Sequence, residues 1–448
     1  MLNPLERKIG RSKTIASLPN YTTAGSYCFF SQCVFLNSLE AKDLPSATNL
    51  NFDEDGSYSS ILKFAPLLHH EAKHWYDAHS TLWGIKLIHQ IYSGRNDLYV
   101  AEKSGIGTKL EHFNKQMLLR DTIELIKYPS YYQTTNTKAN SSKPWKYTFS
   151  SGIIFSKNGS PSDRPIFFTR FINRENDLIA RVPFSLCALL EASAVAQELN
   201  SKLIIINSIK DPVSKMLESN KFSESSFREL YDENLVEYSV VAHKVANSFS
   251  ITDPIEAYNL SAKLVRLILN LPKSVVELLE PEKLLSKQFS HFFDAYKNVI
   301  KYHDLGALFS LFVDILFSKY QSTGIEVRAE NLDELLNDLF SKNIGLTLDD
   351  INKLTSAEIE SICEPVEFEL ESEYVNSVLT QSKSLYKGFG LVGTSFFDIT
   401  GDNVPDFVLG DNTFFSSSGT TFDEFEKRYF NMTGYYEFLQ EFSSACIV

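Results

Sequence analysis

The chain has 448 residues, of which 43% are hydrophobic, and its formal net charge is −13. This length and composition predict a folded protein of two or three domains and exclude a disordered chain. The acidic balance argues against nucleic acid as a partner, because affinity for phosphate requires clustered lysine and arginine.

The cysteines and the apolar segments indicate the cellular compartment in which the protein is expected. Five scattered cysteines differ from the disulfide framework of a small secreted domain and indicate reduced thiols. The N-terminal residues lack an apolar signal segment, and the most apolar later stretch, residues 307–317, is short and contains an aspartate. We therefore expect a cytoplasmic protein with no membrane partner.

The first half of the chain mixes strand and helix patterns. Aromatic and polar residues alternate over the first sixty positions and predict strands. After Pro66, the run LLHHEAKHWYDAHSTLWGIKLIHQIY has no proline and one glycine, and it predicts one long helix that starts at the proline. Strands are predicted within residues 146–184, the last two joined across Asn173–Asp177, and a second helix is predicted from an N-cap near Ser185.

The second half is predominantly helical. Residues 224–365 show helical periodicity with short breaks at prolines. The last seventy residues predict a hairpin in SFFDITGDNVPDFVLGD and a final helix in TFDEFEKRYFNMTGYYEFLQEF. Taken together, these elements predict an α+β protein.

Four of the nine histidines lie in the stretch HHEAKHWYDAH, residues 69–79. His70, Glu71 and His74 form an H-E-x-x-H motif on the first predicted helix. Residues i and i+4 share one face of a helix, so both imidazoles can reach one zinc ion (Zn²⁺) while Glu71 acts as general base toward a metal-bound water. The alternative, a chance match, is disfavoured by the unbroken helix around the motif.

A catalytic zinc site needs a third protein ligand. His79 does not fit, because the spacing H-E-x-x-H-x-x-G-x-x-H would require glycine at position 77 and histidine at position 80. We expect His79 at the surface or beside the metal ligands instead. With Glu191 in the segment LLEASAVAQE on the second predicted helix, the chain resembles the gluzincins, zinc metallopeptidases of the H-E-x-x-H (zincin) class. The resemblance implies His70, His74 and Glu191 as zinc ligands. Glu198, two turns later, is the reserve candidate for the third ligand and otherwise a candidate for supporting one of the ligands.

Other side chains could support this site. Asp77 lies on the same helical stripe as the two histidines, where a carboxylate could orient a metal ligand, or it could face solvent beside Lys73. Tyr238 and His243, on a later predicted helix, are candidates by location only for the donor that stabilises an oxyanion.

The resemblance also implies an organisation of the chain. Residues 1–215 would form a zincin-like catalytic domain with a mixed sheet, the H-E-x-x-H helix and the helix of the third ligand. Residues 216–370 would form a mostly helical domain, and residues 371–448 a mixed α/β region that packs on the rest.

We expect zinc-dependent hydrolysis of a peptide or protein substrate, which an edge strand from residues 145–182 could hold by main-chain pairing. One variant of this interpretation is a latent protease of a bacterial toxin or defence system. The alternative is a non-enzymatic interaction protein with a structural or vestigial zinc site, whose helical domain binds a protein partner.

A second, weaker pattern lies near the C-terminus. Asp398, Thr400, Asp402 and Asp406 resemble in their spacing the calcium loop of FG-GAP repeats. A propeller requires several such repeats and the chain has one, so a polar hairpin turn is the other interpretation.

Overall fold

A computed structural model describes residues 24–44, 57–104, 110–136, 143–156, 159–393, 404–417 and 419–445. In these residues the fold is α+β and mostly helical, with two four-stranded sheets. The predicted fold class is confirmed at this level. The predicted calcium loop falls mainly outside the described residues, since only Asp406 of its four side chains belongs to them.

The helices and strands are numbered in chain order. The helices are α1 (Ser57–His79), α2 (Leu82–Ser104), α3 (Leu110–Glu124), α4 (Leu186–Ser208), α5 (Pro212–Leu230), α6 (Val236–Phe249), α7 (Pro254–Asn270), α8 (Lys273–Val276), α9 (Pro281–Leu284), α10 (Phe293–Tyr302), α11 (Leu305–Thr323), α12 (Leu332–Ile344), α13 (Leu348–Ile362), α14 (Ser372–Phe389) and α15 (Phe422–Ala445). The strands are β1 (Ser26–Cys28), β2 (Cys33–Leu36), β3 (Thr134–Thr135), β4 (Lys146–Phe155), β5 (Pro161–Ile172), β6 (Leu178–Pro183), β7 (Phe407–Leu409) and β8 (Phe414–Phe415).

The two sheets differ in topology and in what they cover. The first has the order β1-β2-β7-β8, with β2 and β7 parallel and the other pairs antiparallel. The second has the order β3-β6-β5-β4 and is antiparallel throughout. Strands β1 and β2 pack on α1, whereas the second sheet packs on α6, α10 and α11. The strands next to the H-E-x-x-H helix therefore come from the start of the chain and not from residues 145–182.

Helix α4 is the central element. It packs against α1, α6 and α7, and it is apolar on every side over most of its length, which is typical of a buried helix. Small residues at Ala188, Ala192 and Ala196 of this helix are buried. The helix begins as predicted, because the Ser185 side chain accepts a hydrogen bond from the Ala188 N–H.

The prediction of one long helix after Pro66 is wrong at its start. Helix α1 begins at Ser57 and continues through Pro66. Proline removes one backbone donor from the helix but does not stop it when packing supports the flanking turns. The turn before the proline has this support, since Ile61 is buried in the core.

The same prediction is wrong at the C-terminal end, because the helix breaks at Ser80 and Thr81. The hydroxyls of these residues donate to the carbonyls of Tyr76 and Asp77, both at 2.6 Å, which satisfies the last turn of α1. Thr81 Oγ1 then accepts from the Gly84 N–H at 3.1 Å and caps α2.

Buried hydrophobic residues from β1 to α15 form one continuous cluster. Leu190 of α4, Val241 of α6 and Leu379 of α14 all belong to it, so it extends across the predicted boundaries at residues 215 and 370. The division into three domains stays a prediction. Within the described residues, no helix combines the length and the hydropathy needed to cross a bilayer.

Candidate metal centre

Helices α1 and α4 bring three side chains of the predicted site together. His70 and His74 lie one turn apart on α1, and Glu191 faces them from α4. Glu191 Oε2 lies 3.3 Å from His70 Nε2 and 3.6 Å from His74 Nε2. The three ligand atoms lie within 4.8 Å of one another, and the described part of the chain contains one such group.

The separations match those of a coordinated ion. In a tetrahedral zinc site with bonds of about 2.0–2.1 Å, neighbouring ligand atoms lie about 3.3 Å apart. The two distances from Glu191 fall close to this value. The donor set, two imidazoles and one carboxylate, is also one that zinc prefers.

The hydrogen bonding of the buried groups provides an independent test. Glu191 is 0% exposed and His74 is 2% exposed. Both carboxylate oxygens of Glu191 and the Nδ1 atom of His74 lack a hydrogen-bond partner among the described residues. A buried carboxylate without hydrogen bonds is costly, so the site has the property expected of one that holds a cation. The residues present therefore fit a bound metal ion.

The ionisation of these groups follows from their burial and from each other. Burial lowers the pKa of His74, although Glu191 opposes the shift, so His74 is held in the neutral form that binds metal. Burial also opposes protonation of His70, but the nearby carboxylates of Glu191 and Glu198 outweigh burial and raise the pKa of His70 well above its usual value. Burial disfavours the charged form of Glu191, yet the two histidines lower its pKa overall.

Glu198 supports His70 rather than joining the three ligand atoms. Its Oε2 atom lies 3.1 Å from His70 Nδ1, and its Oε1 atom lies 2.6 Å from the Lys202 ammonium. In the neutral, metal-binding form of His70, a carboxylate in this position selects the tautomer whose Nε2 lone pair faces Glu191. Of the two roles considered for Glu198, the geometry thus favours the supporting role over that of third ligand. The sequence pattern did not single out Lys202.

Glu71 follows His70 on α1 and is buried. Burial raises the pKa of Glu71 to about 8, with His70 opposing the shift and Glu191 adding to it. No residue in the described ranges makes a hydrogen bond to its carboxylate. The backbone of Gly25, just before β1, passes so close that a Cβ atom there would lie 2.7 Å from Glu71 Oε1. Sequence reasoning missed Gly25, because an isolated glycine far from the motif carries no local signal.

Asp77 occupies neither predicted environment. It is 0% exposed, so the solvent-facing alternative is wrong. Its Oδ1 atom accepts a hydrogen bond from Lys73, which is buried as well. It does not orient His74, whose Nδ1 atom makes no hydrogen bond to any described residue. The pair is buried because this face of α1 lies under other helices instead of at the surface.

The other three candidate residues, His79, His243 and Tyr238, differ in their position relative to the metal ligands. His79 is 1% exposed, so its expected place at the surface is not the observed one, and it lies outside the group of ligand atoms. His243 Nε2 lies 2.8 Å from the Leu230 carbonyl, within the core. The ring of Tyr238, by contrast, lies 6.2 Å from the ring of His70. Only Tyr238 of these three borders the site.

No protein-family model, curated protein or solved structure matches the chain. The site is therefore defined by its residues and their geometry. These define a buried His–His–Glu group that could bind a metal ion.

Proposed function

We propose that this protein is a zinc-dependent peptidase of gluzincin-like type. The observation that carries the proposal is the convergence of His70, His74 and Glu191 to distances of 3.3 and 3.6 Å, with Glu71 adjacent on α1. These three side chains would hold the ion, and the substrate would be a peptide or protein.

The number of ligands favours a catalytic over a structural role. Structural zinc sites are closed by four protein ligands, whereas catalytic sites use three and leave one position open. Among the described residues, the group contains three ligands. Glu198 is engaged by His70 Nδ1 and Lys202 and is not a fourth.

Zinc, when bound, would lower the pKa of water and polarise a carbonyl group. Glu71 is the residue suited to move protons: its carboxylate would accept a proton from the attacking water and return it to the leaving amine nitrogen. A nearby cation favours the ionised carboxylate and so offsets the effect of burial on Glu71.

Tyr238 would act as a hydrogen-bond donor at the same site. Burial and the nearby Glu191 raise the pKa of its hydroxyl group, so Tyr238 keeps its proton at neutral pH. A retained O–H near the metal ligands can stabilise the negative charge that develops on a carbonyl oxygen. A substrate in extended conformation could pair with the backbone of β1, which begins beside Glu71.

The test uses purified full-length protein loaded with zinc and a library of fluorescence-quenched peptides. Glu71→Gln should retain one zinc per chain and lose hydrolysis by at least about 100-fold. The matched control is Glu102→Gln, an exposed glutamate on α2, which should change neither. A Glu71→Gln variant that binds zinc and cleaves at the wild-type rate would overturn the proposed chemistry.

The same experiment addresses the interaction-protein alternative. X-ray absorption spectroscopy of the zinc-loaded wild-type protein gives the number of protein ligands. Four protein ligands, together with no cleavage of any peptide, would favour a structural metal. Three protein ligands and one water oxygen would support the open site.

A further inference from the structure

A cavity of about 240 Å³ has none of the three candidate metal ligands in its lining. Its wall includes Leu82, the first residue of α2, and Leu186, the first residue of α4. Leu82 follows the end of α1, and Leu186 precedes Glu191 by more than a helical turn. The cavity far exceeds the roughly 10–15 Å³ that one water needs, so it can hold an organic molecule of several heavy atoms.

Most of the lining is apolar. The side chains that form these walls include Leu82, Trp83, Leu125, Leu186, Leu269 and Leu271. Walls of this kind favour a ligand with an aromatic or aliphatic body, because burial of apolar surface supplies most of the affinity.

One cationic side chain in the lining, that of Arg164, makes no direct ion pair with a described residue, although it is close enough to Asp304 to favour the ionised form of that carboxylate. The guanidinium of Arg164 makes no hydrogen bond or ion pair with any residue that the structure describes, and its contact is with the face of the Tyr302 ring, at 5.2 Å from the centroid. A buried guanidinium N–H without an acceptor, as at Arg164 Nε, is unusual.

The acidic residue of the lining does not neutralise Arg164 by direct contact. Asp304 accepts hydrogen bonds from the Tyr128 hydroxyl at 2.9 Å and from the Ala307 N–H at 3.0 Å, the latter as N-cap of α11. A second cation, Lys86, lies in the lining with 36% of its side chain exposed, paired with Glu358 on α13. The cavity thus combines apolar walls with one guanidinium whose donors are available.

We propose that this cavity binds a small carboxylate with an apolar or aromatic body. The carboxylate would pair with the fork of Arg164, and the body would lie among the leucines and Trp83. A free organic acid and the C-terminal carboxylate of a peptide share this chemistry. The site is independent of the proposed peptidase activity and of zinc.

Calorimetric titration of the full-length protein tests the proposal with three probes: phenylacetate, phenylacetamide and N-acetylphenylalanine. Phenylacetamide has the same shape as phenylacetate without the charge, so it should bind at least about tenfold more weakly. Arg164→Gln should weaken binding of phenylacetate by a similar factor. Arg170→Gln, at an exposed position of the same strand, is the matched control and should leave binding unchanged.

Tighter binding of N-acetylphenylalanine than of phenylacetate would support the site and assign it to peptide C-termini, and the reverse order would support it and assign it to free acids. Equal affinity for phenylacetate and its amide would overturn the proposal, as would no binding of either carboxylate. If Arg164→Gln does not fold, the comparison of phenylacetate with phenylacetamide on the wild-type protein still tests the proposal.

Discussion

The Nε2 atom of His70 and the Oε2 atom of Glu191 lie 3.3 Å apart, although their helices are separated in the sequence by the whole second sheet. The contact exists because α1 packs directly on α4. On the next turns of α4, Glu198 reaches the other nitrogen of the same imidazole at 3.1 Å. One histidine is therefore held by two glutamates, each at a different ring nitrogen, and this predicts different roles for the two acids.

Glu191→Gln should remove most zinc affinity, because the amide replaces the charged ligand. Glu198→Gln should leave the three ligands in place and weaken binding by about 10–100-fold, the usual effect of losing a group that orients a ligand. Competition titration against a zinc-binding dye at neutral pH compares the two variants. A larger loss in Glu198→Gln than in Glu191→Gln would reverse the assigned roles.

Removal of zinc should destabilise the folded protein. A ligand that binds only the native state at about 1,000 times its dissociation constant adds about 4 kcal/mol to the free energy of unfolding. Thermal melting with zinc and with a chelator should therefore give clearly different midpoints for the wild type. Glu191→Gln serves as the control, and its two midpoints should coincide. Equal midpoints in the wild type would show that no tight site exists.

The elements around the site were predictable where short-range patterns determine them. The H-E-x-x-H spacing places both histidines on one face of a helix, and Ser185 marks the start of α4 through its own side chain. The antiparallel pair β5 and β6 likewise follows from alternating residues and the turn at Asn173–Asp177. Such features depend on neighbours a few positions away, so the sequence contains them directly.

Other features depend on contacts between distant segments and left no local signal. The approach of Gly25 to Glu71 and the burial of the Lys73–Asp77 pair depend on which elements cover α1. The break after His79 is a further example, since Ser80 is compatible with a continuing helix until another residue binds its carbonyl. These properties require the packed structure.

The residue that binds the Ser80 carbonyl is Arg266 of α7, which is 2% exposed. Its guanidinium donates to the Ser80 hydroxyl and carbonyl and to the Gly390 carbonyl, each at 2.8 Å. Arg266→Met would leave the buried Ser80 carbonyl and the partly buried Gly390 carbonyl without these donors, so we expect a loss of about 3 kcal/mol in the free energy of unfolding. Arg328→Met, which removes a half-buried surface ion pair, should change it by less than about 1 kcal/mol. Urea denaturation measures both, and similar losses would contradict the assigned role.

The close packing at the turn between α1 and α2 also depends on Gly84. A Cβ atom at this position would lie 2.2 Å from the Ala78 carbonyl oxygen, which belongs to the backbone and cannot rotate away. Gly84→Ala should therefore cost about 3 kcal/mol. Gly388→Ala is the matched control, because a Cβ there meets nothing within 4 Å and the residue lies in helix α14. The control should raise stability by up to about 1 kcal/mol. A stable Gly84→Ala protein would show that the corner is not tight.

The last prediction concerns pH and His79, whose ring stacks on Trp75 with centroids 4.3 Å apart. Burial lowers the pKa of His79 to about 3 from its usual 6.5. Below about pH 6.5, His79 is therefore protonated in the unfolded chain but stays neutral in the folded protein. The free energy of unfolding falls by about 1.4 kcal/mol for each pH unit below this value.

His79→Phe keeps the stacking and removes the titration. When the pH is lowered from 7 to 5, the free energy of unfolding should fall by about 2 kcal/mol less in the variant than in the wild type. Urea denaturation at pH 7 and at pH 5 measures this difference. His291→Gln, at an exposed position, serves as the control and should follow the wild type. An equal loss in His79→Phe and in the wild type would mean that His79 is protonated in the folded protein, and that its burial against Trp75 does not exclude the charge.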